Sequence, residues 1–250
     1  MLTSRTFGSI FGVVIKNKPY LQDGQDRRDL PTYSIPEAAT YLGISPRTAS
    51  YWFKESNNIL VPSGSAGPTA LLSFNDLTEA YVLALLTKYY EFRLLQLKEI
   101  VHNAKAETGL KRPLIWADLK VVLGRLVLDK PARGRRRRQA IDLADKNLVF
   151  PEFVDQLGIR IVRDGKYAPM RIFPWRLAGP GDDSRPVTMD PDVHSGRLII
   201  TGTRIPVTVL WDKHDKGRTV EDLADAYKIS VEVVKKALDH IARPIRSKAA

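Results

Sequence analysis

Between Pro46 and Lys54 the chain reads PRTASYWFK. Arg47, Thr48, Ser50, Tyr51 and Lys54 supply a guanidinium, an ammonium and three hydroxyls within this short stretch. An arginine can present two N–H donors to the major-groove edge of guanine, while hydroxyls and lysines hold phosphate oxygens. The same residue types also make an ordinary solvated helix face, with Tyr51 free to pack in a core. Ser63 and Ser65 follow in PSGSAGP. Small hydroxyl residues there can approach a phosphate, and they are equally what a turn requires.

A second group lies near the C-terminus, in TGTRIP at residues 201–206. The preceding RLIIT is strand-like, and Gly202 can take the positive φ needed to leave a strand. Ile205 precedes a proline and should be extended, and Pro206 suits the first position of a helix. A phosphate loop would need a longer glycine-rich segment ending in Gly-Lys-Ser/Thr. TGTRIP therefore reads as a strand-to-helix joint. Arg204 in it either meets a partner or pins the turn by pairing with an acidic neighbour. The chain closes HIARPIRSKAA, where Pro244 is expected to break the final helix and free a cationic tail carrying Arg243, Arg246 and Lys248. The run Arg135 to Arg138 could grip a nucleic-acid backbone or stand as a solvated loop.

Other chemistries find little support. The chain has no cysteine, which excludes disulfides, thiol catalysis and cysteine zinc sites. His102, His194, His214 and His240 have no metal-ligand spacing, and neither a P-loop nor a GxSxG motif occurs. No catalytic residue, metal or cofactor is expected. The formal net charge of +11 favours a polyanionic partner, because released counterions drive binding to phosphates. No apolar run approaches membrane-spanning length. FGSIFGVVI, Phe7 to Ile15, reads as a strand or docking arm rather than a signal segment, so the protein is expected to be cytoplasmic.

The elements that must position these residues follow from hydrophobic period and caps. Ile35, Ala38, Ala39 and Leu42 recur at helical spacing, Gly43 ends that helix, and Ser45–Pro46 caps the next. NILVPSGSAGPTALLSF reads as a β-hairpin wing. Ser73 and Asp76 form a capping box for a helix over Asp76 to Phe92. Leu94, Leu97, Val101 and Ala104 stripe a further helix that Gly109 stops, and this stripe is a candidate dimer seam. DLKVVLGRLVLD is either strands or a short helix, DKNLVFPEFVDQLGIRIV suggests a helix and then a strand, and IRIVRDGKYAPMRIFPW is a hairpin. A hairpin over RPVTMD and RLIIT precedes helices at Pro206 to Lys216, Val220 to Tyr227 and Val231 to Ala242. The expected fold is α+β and mainly helical. It comprises an arm (1–30), a winged helix-turn-helix with a dimerisation helix (31–110), a middle α/β region and linker (111–185), and a small helical bundle behind a β-hairpin (186–250).

SIPEAATYLGIS, Ser34 to Ser45, aligns without gaps on TVEDLADAYKIS, Thr219 to Ser230. Both place a hydroxyl cap before an apolar stripe, a turn and a second capped helix. Their charges differ. Ser34–Lys54 carries a net +1, from Arg47 and Lys54 against Glu37, whereas Thr219–Asp239 carries a net −2. The first unit suits DNA and the second suits protein contact.

RPVTMDPDVHSGRLIITGTRIPVTVL with TVEDLADAYKISVEVVKKAL resembles a bacterial domain-of-unknown-function family known from antitoxins. Gly202, Thr203, Arg204, Ile205, Pro206 and Val207 match its G-T-R-I-P-V signature. Residues Tyr33 to about Gly109, especially LGISPRTASYW, are similar to MerR-type winged helix-turn-helix domains, and the middle resembles long VapB-type antitoxins of actinobacteria. The departure is Ser50, where MerR-type proteins often carry a basic residue. The resemblance implies a homodimeric antitoxin that binds its operator DNA and neutralises a PIN-like ribonuclease toxin. Arg47, Thr48, Ser50, Tyr51, Lys54, Ser63 and Ser65 would then face DNA, and Arg204, Arg243, Arg246 and Lys248 the toxin. The alternatives are a MerR-like regulator without a toxin and an RNA-processing enzyme.

Overall fold

A computed structural model describes residues 26–57, 59–64, 69–89, 92–116, 119–122, 125–131, 138–142, 144, 148–149, 155–156, 161–163, 169–174 and 184–246. The fold is mixed α/β and mainly helical. The expected arm lies outside the described residues before residue 26, and its end, Asp26–Leu30, is built into the fold. Asp26 caps a short 3-10 turn, and its carboxylate accepts Nε and Nη2 of the buried Arg28.

Strand β1 (Tyr33–Ser34) leads into α1 (Ile35–Leu42) and α2 (Pro46–Trp52). Among the described residues of the expected wing, 59–64 forms no strand; strand β2 (Leu71–Leu72) pairs with β1, and Gly64 N–H donates to the Leu71 carbonyl at 3.2 Å. Helix α3 (Phe74–Tyr89) is buried nearly all round, with Leu77, Tyr81, Leu83 and Leu86 fully enclosed, as befits a central helix. Its capping box is present, since Ser73 Oγ accepts Asp76 N–H at 3.1 Å and Asp76 Oδ2 accepts Ser73 N–H at 2.8 Å. Helix α4 (Leu94–Thr108) ends at Gly109, with φ of +68°, and α5 (Pro113–Trp116) follows. Leu97, Val101 and Ala104 are at most 1% exposed, so this stripe is a core face of its own chain and offers no dimer seam.

The middle region departs from the sequence reading. Strands β3 (Leu119–Val122), β4 (Arg125–Pro131), β5 (Arg138–Asp142), β6 (Leu148–Val149) and β7 (Asp155–Gln156) form an antiparallel sheet in the order β6-β5-β4-β3-β7. The described parts of the segment expected to be helical are strands, because pairing to β5 and β3 supplies their backbone bonds. Arg138 opens β5 opposite Pro131, and the rest of the arginine run lies outside the described residues. The expected hairpin of β8 (Ile161–Arg163) and β9 (Pro169–Ile172) is present.

Strands β10 (Val187–Thr188) and β11 (Ile199–Ile200) pair antiparallel before α6 (Val207–Asp215), α7 (Val220–Tyr227) and α8 (Val231–Arg246). Helix α8 runs through Pro244, contrary to expectation. Pro244 has no N–H to bond back to the preceding turn, and the helix nonetheless continues two residues beyond it, to Arg246. Arg243 and Arg246 therefore lie on helix rather than on a free tail, and Lys248 lies outside the described residues.

The two ends of the chain share one apolar core extending from Tyr33 to Ile241. Tyr81 Oη donates to the Phe173 carbonyl at 3.0 Å, His240 Nε2 lies 2.7 Å from the Tyr41 carbonyl, and Ile172 and Met189 exchange backbone bonds. The boundary expected at 185/186 therefore does not separate two cores.

A buried polar network fixes the start of α3. Arg112 donates through Nε and Nη2 to Asp76 Oδ1 at 3.0 and 2.7 Å, through Nη1 to Asp29 at 3.0 Å, and through Nη2 to the Ser63 hydroxyl. Glu79, one turn further along α3, is 3% exposed, and its Oε1 has no hydrogen-bond partner among the described residues. Burial pushes its carboxyl up to about 8, outweighing the pull of Arg112 and Lys105. The folded chain thus holds a proton that the unfolded chain releases near the ordinary glutamate value. This contribution is full below that value and is lost as pH rises towards about 8. Urea unfolding should show lower stability at about pH 8 than at about pH 5, and Glu79→Gln should flatten the difference. An unchanged profile in the variant would contradict this assignment.

Candidate nucleic-acid interface

The face that could meet nucleic acid is set by two caps and a turn. Ser34 Oγ accepts Glu37 N–H at 3.3 Å and starts α1. Gly43, with φ of +64°, turns the chain, and Ile44 N–H bonds back to the Ala39 carbonyl at 3.1 Å. Ser45 Oγ then accepts Thr48 N–H at 3.0 Å and starts α2. Ala49 and Trp52 bury the inner side of α2, leaving Arg47, Ser50 and Tyr51 exposed on its outer side and Lys54 exposed just beyond its C-cap, Phe53. All four predicted residues are exposed, with Tyr51 41% exposed rather than in the core. Thr48 is half-buried and its hydroxyl lies 2.8 Å from Ser45 Oγ, so it supports the cap. Asn57 Nδ2 donates to the Tyr51 carbonyl at 2.8 Å and holds the end of the helix.

The other predicted positions separate from this face. Ser63 is held in the Arg112 network, where its N–H donates to Asp76 Oδ2 at 2.7 Å and its hydroxyl to Ser73 Oγ at 2.9 Å. It is a structural link between the loop and α3. Ser65 lies outside the described residues.

The C-terminal unit repeats the geometry of the first, as the sequence echo suggests. Thr219 caps α7 with a reciprocal Asp222 box. Lys228, with φ of +55°, occupies the turn position of Gly43, and Ile229 N–H bonds back to the Ala224 carbonyl at 3.0 Å. Ser230 Oγ accepts Val233 N–H at 3.3 Å to begin α8. The exposed side of α7 carries Glu221, Asp222 and Asp225, which would repel phosphate.

TGTRIP is a joint without phosphate-loop geometry. Gly202 has φ of +78°, and the Thr203 hydroxyl donates to the Ile200 carbonyl at 2.9 Å while accepting Ile205 N–H at 3.1 Å. Ile200 N–H bonds to the Ile205 carbonyl at 2.9 Å, and Pro206 caps α6 instead of opening it. Arg204 is exposed and pairs with no acidic side chain among the described residues, so Thr203 and not an arginine ion pair pins the turn. Among the described residues no cluster of His, Asp or Glu is arranged to hold a metal ion. No helix among them is long and apolar enough to cross a membrane.

Sequence reasoning missed two features. One is the Arg112 network, whose only local signal was Asp76 in the capping box. The other is the turn at 194–196, where His194 and Ser195 take φ of +48° and +54°. There Tyr33 Oη donates to the Ser195 carbonyl at 3.3 Å, and burial pushes the Tyr33 phenol well above its ordinary range.

Residues 187–240 match the model of a protein family of unknown function, DUF433. The match begins at β10 and ends in α8, so it covers the joint and the acidic repeat. No curated protein matches the chain. The chain is similar in fold to the crystal structure of Rv2018 from Mycobacterium tuberculosis, with a TM-score of 0.58 and 21% identity over 84% of this chain and 98% of that one.

The exposed α2 face leads to a direct expectation. Arg47→Ala should weaken binding to DNA from upstream of the gene by about 1–3 kcal/mol if it reads a base. Lys54→Ala should instead weaken binding evenly across sequences and lower the salt slope by about one. Fluorescence anisotropy over a salt series separates the two, and unchanged binding by both variants would reject this face.

Proposed function

We propose that the protein is a DNA-binding antitoxin. Its N-terminal unit is a MerR-like winged helix-turn-helix that reads its own operator, with α2 as the recognition helix. Its DUF433 region engages a PIN-like ribonuclease toxin. The observation that carries the DNA half is the exposure of Arg47, Ser50 and Tyr51 on a capped helix that follows a tight turn, with exposed Lys54 just past its end. Helices in this position enter the major groove with their early residues on base edges. The net charge of +11 supports the same reading.

The protein-binding half rests on the acidic face of α7, on exposed Arg204, and on the resemblance of this segment to antitoxin-associated domains. A carboxylate-lined nuclease site is one that an arginine can occupy in competition with metal. Arg204 is preferred for that role, with Arg243, Arg246 and Lys248 as the second candidates. Paired half-sites would call for a homodimer through a surface other than the α4 stripe. The competing reading, a regulator with no toxin, retains the DNA face and discards the nuclease.

Co-expression with the product of the adjoining reading frame tests the partner. The expected result is a stable complex in which that product's metal-dependent RNA cleavage is suppressed, with suppression weakened by Arg204→Ala. Failure of any complex to form would leave the regulator reading in place. Ribonuclease activity of this chain purified alone would overturn both.

A further inference from the structure

A groove of about 660 Å³ opens between the 3-10 turn at Arg27–Asp29, the start of α3 and the turn at 191–196. Its volume lies in the range of small-molecule sites, about 300–1,000 Å³. Leu30, Phe74 and Pro191 give it apolar walls, and Arg27, Asp192 and His194 give it charge and hydrogen-bonding capacity. The consecutive left-handed residues His194 and Ser195 shape its rim. Such backbone persists only where the surroundings impose it. Here Tyr33 does so, by bonding to the Ser195 carbonyl and pressing on Gly196, where an added Cβ would lie 2.0 Å from its hydroxyl.

The charges around the groove are unequally satisfied. Asp190 accepts Arg171 Nη2 and Nε at 2.6 and 3.0 Å, and Asp26 accepts Arg28. Asp192 Oδ1 is buried and has no hydrogen-bond partner among the described residues. Its ion pair with Arg27 Nη1 is long, at 3.5 Å, and the Arg27 side chain is 42% exposed. His194 is exposed beside them. A buried carboxylate oxygen without a donor is costly, and a ligand that supplies one is favoured.

We propose that this groove binds a free α-amino acid with an apolar side chain, its ammonium on Asp192 and its carboxylate on Arg27 and His194. The two charges of an α-amino acid are about 3 Å apart, set by the bonds through Cα. They match the opposed pair at 3.5 Å, which would exchange one loose ion pair for two closer ones. Arg27 and Asp192 balance, so a singly charged ligand would leave one of them uncompensated. The side chain would lie against Leu30, Phe74 and Pro191. This assignment stands independently of DNA or toxin binding.

Isothermal titration of the full chain with L-leucine, isoamylamine and 4-methylpentanoate tests the proposal, since each of the latter two lacks one charge of leucine. Leucine should bind saturably and at least about tenfold more tightly than either analogue. Asp192→Asn should weaken leucine by about tenfold and tighten 4-methylpentanoate, whose carboxylate no longer competes with Asp192 for Arg27. Absence of leucine binding at about 10 mM, equal binding of the three compounds, or unchanged leucine binding by a folded Asp192→Asn would each overturn it. Should that variant fail to fold, the three compounds on the unaltered chain decide the matter.

Discussion

The guanidinium of Arg112 is the interaction on which the arrangement rests. It is 7% exposed, and it contacts Asp29 near the N-terminus, Ser63 in the loop after α2, and Asp76 in the first turn of α3. A buried cation is tolerated only when paired and fully hydrogen-bonded, and removing one partner of such a group typically costs about 3–5 kcal/mol. Asp76 has a zero-exposure side chain and also closes the helix cap with Ser73. One network therefore fixes the N-terminal turn, the loop beyond the candidate DNA face and the central helix. Glu79 lies close enough to feel Arg112, yet burial outweighs that pull and favours its protonated form.

Around this centre the chain uses one local design twice with different outcomes. Both capped units place a β-branched residue, Ile44 or Ile229, directly after a left-handed turn, and both close that turn by a bond to the alanine five residues earlier. What differs is the outer surface. The first unit leaves Arg47 and Lys54 in solvent, and the second leaves Glu221, Asp222 and Asp225. The two meet where His240 of α8 approaches the end of α1 at Tyr41. One apolar core therefore lies beneath both capped units.

Local chemistry was legible in the sequence, and long-range pairing was not. The caps at Ser34, Ser45, Ser73 and Thr219, the stops at Gly43 and Gly109, and the joint at Gly202 are decided by neighbouring residues and were read correctly. The exposure of Arg47 and Ser50 fits the helical period, since Ala49 and Trp52 take the inner side. Leu71–Leu72 pairing with Tyr33–Ser34 depends on residues far apart in the chain, which is why a wing was expected there. Ser63 looks like a turn residue until Arg112, 49 positions away, reaches it. The stripe of α4 is equally apolar whether it meets its own core or a second chain, and only packing decides. Pro244 was read as a break because proline costs a helix one bond and a clash, yet α8 extends past it to Arg246.

The central claim is that the basic first unit, and not its acidic repeat, is the surface that meets DNA. Hydrogen–deuterium exchange of the full chain, with and without a duplex from upstream of its gene, tests this without altering any residue. The account predicts slowed exchange over Pro46–Trp52 and little change over Val231–Arg246. Protection confined to Val231–Arg246, or absent from both helices under conditions where the duplex is bound, would contradict it.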